Sequence, residues 1–256
     1  MSSKFLRLNY AFDQHATQCC VGCATAIHVA KRFGETLYSQ KLSPTFSHIV
    51  CKTQYYPMSC NQTNVDPNDS SIRLCNLTPT YSGKCGVRLD DAVDMLDNYG
   101  IPYFSTFGNP LGCSQFRSIP ANVYTEALNK SYNPTRVRAR TAITNSKYVI
   151  DNYDTGLVCM FIIYDSFYEY EGTGFIKPVP YGNTGGRHCM EIIGYDDELQ
   201  YTYPADLPYY PETTYTGFVL CQNSWGAWGD LGCCWIPYDV LESWIDDDLF
   251  CNRPFY

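Results

Sequence analysis

Gln222-Asn-Ser-Trp-Gly-Ala-Trp-Gly-Asp-Leu-Gly232 follows the short apolar run Phe218-Val-Leu-Cys221. A brief run of β-formers closed by Gly and Asn reads as a strand that delivers a turn. An asparagine there can present its side-chain carbonyl to an imidazole N–H and fix the ring's orientation. Trp225 can cover that hydrogen bond and keep water from it. Taken alone, the stretch is equally a turn asparagine followed by a core tryptophan. Its meaning depends on what the rest of the chain supplies.

The chain has four histidines, at positions 15, 28, 48 and 188. His188 follows Gly185-Gly-Arg and opens the run His188-Cys-Met-Glu-Ile-Ile-Gly-Tyr195. A histidine at the mouth of a strand can face a cleft while the strand stays rigid. His28 and His48 fall on predicted helices and read as surface or packing residues. His15 stays a second candidate because it adjoins Gln14.

Cys20 stands at the predicted start of a helix over 20–33, with small residues at Gly22, Ala24 and Ala26 and a stop at Gly34. Exposed amide dipoles at a helix start favour a thiolate over a thiol. Cysteine catalysis needs a base, a group that holds the base, and donors for the developing oxyanion. Gln14, six residues upstream of Cys20, can offer a side-chain amide for the last task. A cysteine more often packs or pairs than reacts, and Cys23 is an alternative nucleophile on the same segment.

Organisation along the chain supports two lobes. Leu42-Ser-Pro44 starts a second helix with Ser43 as N-cap, and Leu89–Tyr99 forms a third, stopped by Gly100. Residues 52–86, rich in Asn, Ser, Thr, Pro and Cys, read as an irregular loop with cysteines available for cross-linking. Short apolar runs follow at 158–164, 190–195 and 217–221. The expected domains are therefore a mainly helical lobe over 1–110 and a β-rich lobe over 111–256, the second carrying His188 and Asn223.

Composition narrows the function. With 256 residues, 45% of them hydrophobic, and only 17% charged, the chain can bury a sizeable core. A net charge of −8 without a basic cluster argues against nucleic acid as a partner. No run of about 18 apolar residues is present, so no membrane-spanning helix is expected, and Met1–Arg7 has no apolar stretch long enough for a signal peptide. Fourteen cysteines and four Asn-x-Ser/Thr sequons (Asn61, Asn68, Asn76 and Asn129) leave both disulfides in a secretory or lysosome-like compartment and free thiols inside a cell open, so the localisation is unknown from sequence. The single Cys20-Val-Gly-Cys23 unit is a weak zinc signal, and neither a metal nor another cofactor is expected.

Together these segments resemble the papain and cathepsin family of cysteine peptidases. Asp13-Gln14 through Cys20 is similar to the family's DQG-x-x-GSC-x-A segment, and Gly185-Gly-Arg-His188 through Tyr195 to GGHA-x-x-IxGY. The Gln222–Gly232 stretch resembles KNSWG-x-x-WG-x-x-G. Thr155–Gly174 looks like a segment that cathepsin-B-like members carry before the histidine. The matches fall in family order and span roughly 13–240.

The resemblance implies an α+β, papain-like two-lobe fold, with a helical lobe, an antiparallel β-barrel lobe and the active site in the groove between them. It implies Cys20 as nucleophile, His188 as base, Asn223 and Trp225 as supports of His188, Gln14 at the oxyanion, and Gly186 as a substrate-binding position. The implied activity is endopeptidase cleavage of a polypeptide substrate through a thiol acyl-enzyme. A papain-fold protein without catalysis that binds peptides or a partner is the alternative.

The chain departs from the pattern at several points. Val21 replaces the aromatic after the nucleophile, Gln18 a glycine, Thr17 the family's disulfide cysteine, and Cys189 the small apolar residue after the histidine. The NSWG turn is one residue short. No adjacent His-His pair of the kind that caps cathepsin B's groove is present, which favours endopeptidase over carboxydipeptidase action.

Overall fold

The computed structural model describes residues 2–15, 17–55, 58–66, 69–77, 86–108, 115–138, 142–169, 172–205 and 210–251. In chain order the strands are β1 (Ser3–Phe5), β2 (Met58–Asp66), β3 (Asp69–Leu77), β4 (Gln115–Arg117), β5 (Thr135–Arg138), β6 (Leu157–Tyr164), β7 (Thr184–Tyr203), β8 (Thr213–Gln222), β9 (Cys233–Pro237) and β10 (Ile245–Cys251). The helices are α1 (Cys20–Arg32), α2 (Pro44–Tyr55), α3 (Leu89–Asn98), α4 (Ala121–Leu128), α5 (Ala142–Tyr153), the single turn α6 (Trp228–Leu231) and α7 (Tyr238–Trp244). The molecule is α+β, as expected.

Two compact units emerge: Gln14–Pro134, and Met1–Asp13 together with Thr135–Tyr256. The expectation drew one break at 110/111; this partition instead puts α4 with the helices and gives the first thirteen residues to the sheet.

In the unit Gln14–Pro134, α1 is buried from Val21 to Lys31, the pattern of a helix surrounded by protein. Its approach to α2 is close. A Cβ on Gly22 would lie 2.4 Å from the carbonyl oxygen of Pro44. Ser43 caps α2 as the sequence suggests: its Oγ accepts the N–H of Phe46 at 3.0 Å and donates to the carbonyl of Phe107. Gly100 ends α3 with φ +67° and sits against the backbone of Ala127. A buried polar knot ties the later segments together. Tyr103 donates its hydroxyl to Glu35 at 2.6 Å, and Lys130 lies 3.8 Å from the same carboxylate.

The reading of 52–86 as irregular needs correction. β2 and β3 pair antiparallel within it, with Cys60 opposite Cys75, and β4 extends them to three strands. Their sequences, Met-Ser-Cys-Asn-Gln-Thr-Asn-Val-Asp and Asp-Ser-Ser-Ile-Arg-Leu-Cys-Asn-Leu, have few β-branched residues and no clean alternation. Backbone pairing, broken by register shifts after Cys60 and Val65, forms the hairpin without the usual side-chain signal.

The second unit is a seven-stranded antiparallel sheet in the order β5-β10-β6-β7-β8-β9, with β1 also paired to β7. The three apolar runs expected to be strands lie in β6, β7 and β8. The core between this sheet and helices α5 and α7 contains Phe161, Phe167, Met190, Ile192, Val219, Ile236 and Trp244. Burial of each large side chain is worth about 1.5–3 kcal/mol. Among the described residues no helix is long and apolar enough to cross a membrane.

Candidate active site

β7 changes character at His188. Thr184 to Arg187 are exposed, and His188 begins a run of buried residues. The strand therefore enters the core at the histidine, which fixes its backbone against Phe161 of β6. β8 ends one residue before Asn223. The Asn223 N–H donates to the carbonyl of Gly232 at 2.9 Å, closing the Asn223–Gly232 loop at its base.

The two side chains meet. His188 Nε2 lies 2.7 Å from Asn223 Oδ1, and the same oxygen accepts the Ser224 N–H at 2.7 Å. Because Oδ1 is an acceptor, Nε2 must carry the proton and donate it. Nδ1 then has the lone pair and is the atom that can act as a base. Burial pushes the imidazole's pKa down to about 4, against a smaller upward pull from the Asn223 hydrogen bond, so the ring is neutral at pH 7. Among the described residues Asn223 Nδ2 is buried without a hydrogen-bond partner.

Trp225 covers the pair. Its ring centroid is 4.8 Å from that of His188, and Tyr168 stacks on it at 5.6 Å with the planes 6° apart. Phe167 and Trp228 pack edge-on against the same indole. The N-terminal segment holds this turn from the other direction. Asp13 forms a bridge with Trp225, and the Gly226 N–H donates to the Phe12 carbonyl at 2.8 Å. Gly226 has φ +65°, which favours glycine there. Arg7 binds Asp230 at 2.5 Å, and this hydrogen bond holds the Asp230 carboxyl below its ordinary range. The clamp by Arg7, Phe12 and Asp13 is the part of the site that sequence reasoning missed. Its partners lie more than two hundred residues apart, and no local pattern marks them.

In the unit Gln14–Pro134, Cys20 is the first residue of α1 and is half-buried. Gln14 is 7% exposed, and its amide nitrogen donates to the Thr17 carbonyl at 2.8 Å. The Thr17 N–H returns a bond to the Gln14 carbonyl at 3.1 Å, making a tight turn before the helix. Cys23 is wholly buried, and its thiol is pushed up by its hydrogen bond to Cys19 and by burial. That environment keeps Cys23 protonated and weighs against it as the nucleophile for a peptide carbonyl. Gly186 is exposed two residues before His188, with φ +111° and open space where a side chain would be.

The other histidines separate clearly. His15 is exposed with φ +49°, while His28 and His48 are buried packing residues. None of the nine cysteines whose side chains are described is in a disulfide. The remaining five lie outside the described side chains. Among the described residues no group of three or more His, Cys, Asp or Glu could hold a metal ion.

No family model matches the chain, and no curated protein matches it. Solved structures do. The chain is similar to xylellain, a cysteine protease from Xylella fastidiosa, at 18% identity and a TM-score of 0.69, covering 99% of this chain and 87% of that one. It is similar to the Carica candamarcensis cysteine protease CMS1MS2, solved in complex with E-64, at 15% identity and a TM-score of 0.60, covering 99% and 100%. The bromelain protease from Ananas comosus aligns at 15% identity and a TM-score of 0.55, over 99% and 100%. The chain has the fold of the papain-like cysteine proteases.

Proposed function

We propose that this protein is a cysteine endopeptidase acting on polypeptides, with Cys20 as nucleophile and His188 as base. The observation that carries the reading is the His188–Asn223 hydrogen bond under Trp225, which leaves Nδ1 as the basic nitrogen. In the proposed reaction the Cys20 sulfur attacks a peptide carbonyl carbon while His188 Nδ1 takes the thiol proton. The tetrahedral oxyanion is met by the Gln14 amide. His188 then returns the proton to the leaving amine, forming a thioester. Water, deprotonated by His188, hydrolyses the thioester and frees the thiol. Asn223 holds the imidazole through both proton transfers, and Gly186, lacking a side chain, leaves room for the substrate backbone beside the histidine.

Retention of all four residue types in family order supports catalysis over a binding role, because a module that only binds has no chemical need for them. The test is an epoxide probe of the E-64 type on reduced protein, with the modified residue mapped by mass spectrometry. Labelling at Cys20 that vanishes in His188→Ala is the expected result. An unlabelled Cys20, with a denatured protein substrate left intact, would turn the reading to a peptide-binding module.

A further inference from the structure

Cys19, Cys20 and Cys23 fall within five consecutive residues at the start of α1, and the mechanism above uses only Cys20. The flanking pair is not inert packing. The Cys19 and Cys23 sulfurs lie 3.9 Å apart and share a hydrogen bond, and Thr17 Oγ1 is 2.9 Å from the Cys19 sulfur. Cys19 is the residue before the helix, with φ −97° and ψ 25°, and its side chain caps none of the helix's amides. Its carbonyl accepts the Cys23 N–H at 2.9 Å, and both thiols are buried, Cys19 at 1% and Cys23 at 0% exposure, so peroxide reaches them only when the helix start opens.

We propose that Cys19 and Cys23 are a peroxide-responsive dithiol that closes to a disulfide across the first turn of α1 and thereby slows the chemistry of Cys20. The geometry allows it. Residues four apart along a helix are separated by about 6 Å, inside the Cα separation a disulfide tolerates. The sulfurs must approach by roughly 1.9 Å to reach bonding distance, which rotation about the two Cα–Cβ bonds supplies.

The roles of the two sulfurs differ. The hydrogen bond from Cys23 favours the thiolate of Cys19, whereas Cys23 is held as the thiol. The Cys19 thiolate attacks hydrogen peroxide, the O–O bond breaks, and a sulfenic acid and hydroxide form. The Cys23 sulfur then attacks the sulfenic sulfur, and its proton leaves with the displaced hydroxyl as water. Hydroxide takes up the proton that Cys19 had released, so two thiols and one peroxide give one disulfide and two waters. Cys20 stands between the two in sequence, and its sulfur is near enough to Cys23 to act on that thiol electrostatically, so the new bond forms beside the reactive sulfur.

This inference does not rest on the peptidase reading, because its readouts are a bond and a thiol reactivity. Trypsin releases Leu8–Lys31 as one peptide containing all three cysteines. Reduced protein is first capped at the half-exposed Cys20 with iodoacetamide, then treated with hydrogen peroxide and digested without reductant. The expected peptide has one carbamidomethyl group and has lost two hydrogens, a loss that dithiothreitol reverses. The loss disappears in Cys19→Ser, Cys23→Ser and Cys23→Ala, each checked for native circular dichroism. In a second arm, uncapped oxidised protein alkylates at Cys20 several-fold more slowly than reduced protein. A peptide that keeps its hydrogens, a disulfide that persists in Cys19→Ser and so joins Cys20 to Cys23, or an unchanged alkylation rate after the bond forms would each overturn the proposal.

Discussion

Gly22→Ala tests the contact that sets α1 against α2. Propensity alone favours the substitution by about 0.8–1 kcal/mol, because glycine loses more backbone freedom in a helix than alanine. Packing opposes it. The added Cβ would lie 2.4 Å from Pro44 O and 3.2 Å from Pro44 C. An ordinary contact needs at least 3.4 Å, so the two backbones must separate by about 1 Å. Neither backbone yields easily. Pro44 is the rigid first residue of α2, and Ser43 ties that helix start to Phe46 and Phe107. Overpacking costs about 1–3 kcal/mol, and a clash between two tethered backbones falls in the upper part of that range, so after the propensity gain the net loss is about 1–2 kcal/mol. Urea unfolding followed by circular dichroism reads this as a lower midpoint at unchanged slope. A variant as stable as the parent, or more stable, would refute the close approach and free the start of α1 from that constraint.

Four further outcomes follow from particular residues. His48 is 2% exposed, neither ring nitrogen has a hydrogen-bond partner, and burial with nearby Lys52 lowers its pKa from 6.5 to about 3. The unfolded chain therefore binds a proton between pH 6.5 and about 3 that the folded chain refuses, and stability falls as pH drops through that window. At pH 5 the loss is about 2 kcal/mol; His48→Leu should flatten the pH dependence of the melting temperature, and an unaltered slope would count against the assignment. Asn223→Ala removes the acceptor of the His188 N–H, a charge-assisted bond in the reacting state worth about 1.5–3 kcal/mol, so cleavage should slow by roughly 10–100-fold while the pH profile shifts. Lys130→Met removes a buried ammonium 3.8 Å from the Glu35 carboxylate, and should cost about 3 kcal/mol in urea unfolding. Trp225→Ala should expose the His188–Asn223 bond to water, measurable as faster exchange of the imidazole N–H proton by NMR.

The sequence was most readable where chemistry is local. The start of α1 at Cys20, the Ser43 cap and the Gly100 stop each depend on neighbours within a few positions, whereas the strand expected to open at His188 begins at Thr184. The hydrogen bond between His188 and Asn223 spans thirty-five positions, and it was expected because the segments around both residues resemble those of the papain family. The β2–β3 hairpin was missed because its polar residues lack the alternation that marks a strand. The clamp of Arg7, Phe12 and Asp13 on the Asn223–Gly232 loop was missed for a different reason. Arginine, phenylalanine and aspartate near a chain start are unremarkable, and only tertiary pairing gives them a task. The Cys19–Cys23 contact was available from the four-residue spacing but was overshadowed by the question of which cysteine is the nucleophile.

The pairing of Asp13 with Trp225 also bears on how the chain is made. Residues 2–13 find their partners late, since Leu6 donates to Ile193 and Gly226 to Phe12. At about 5–20 residues per second, this segment waits many seconds after its own synthesis for the strands that will hold it, and a chaperone or protease acting in that interval would meet it unpaired.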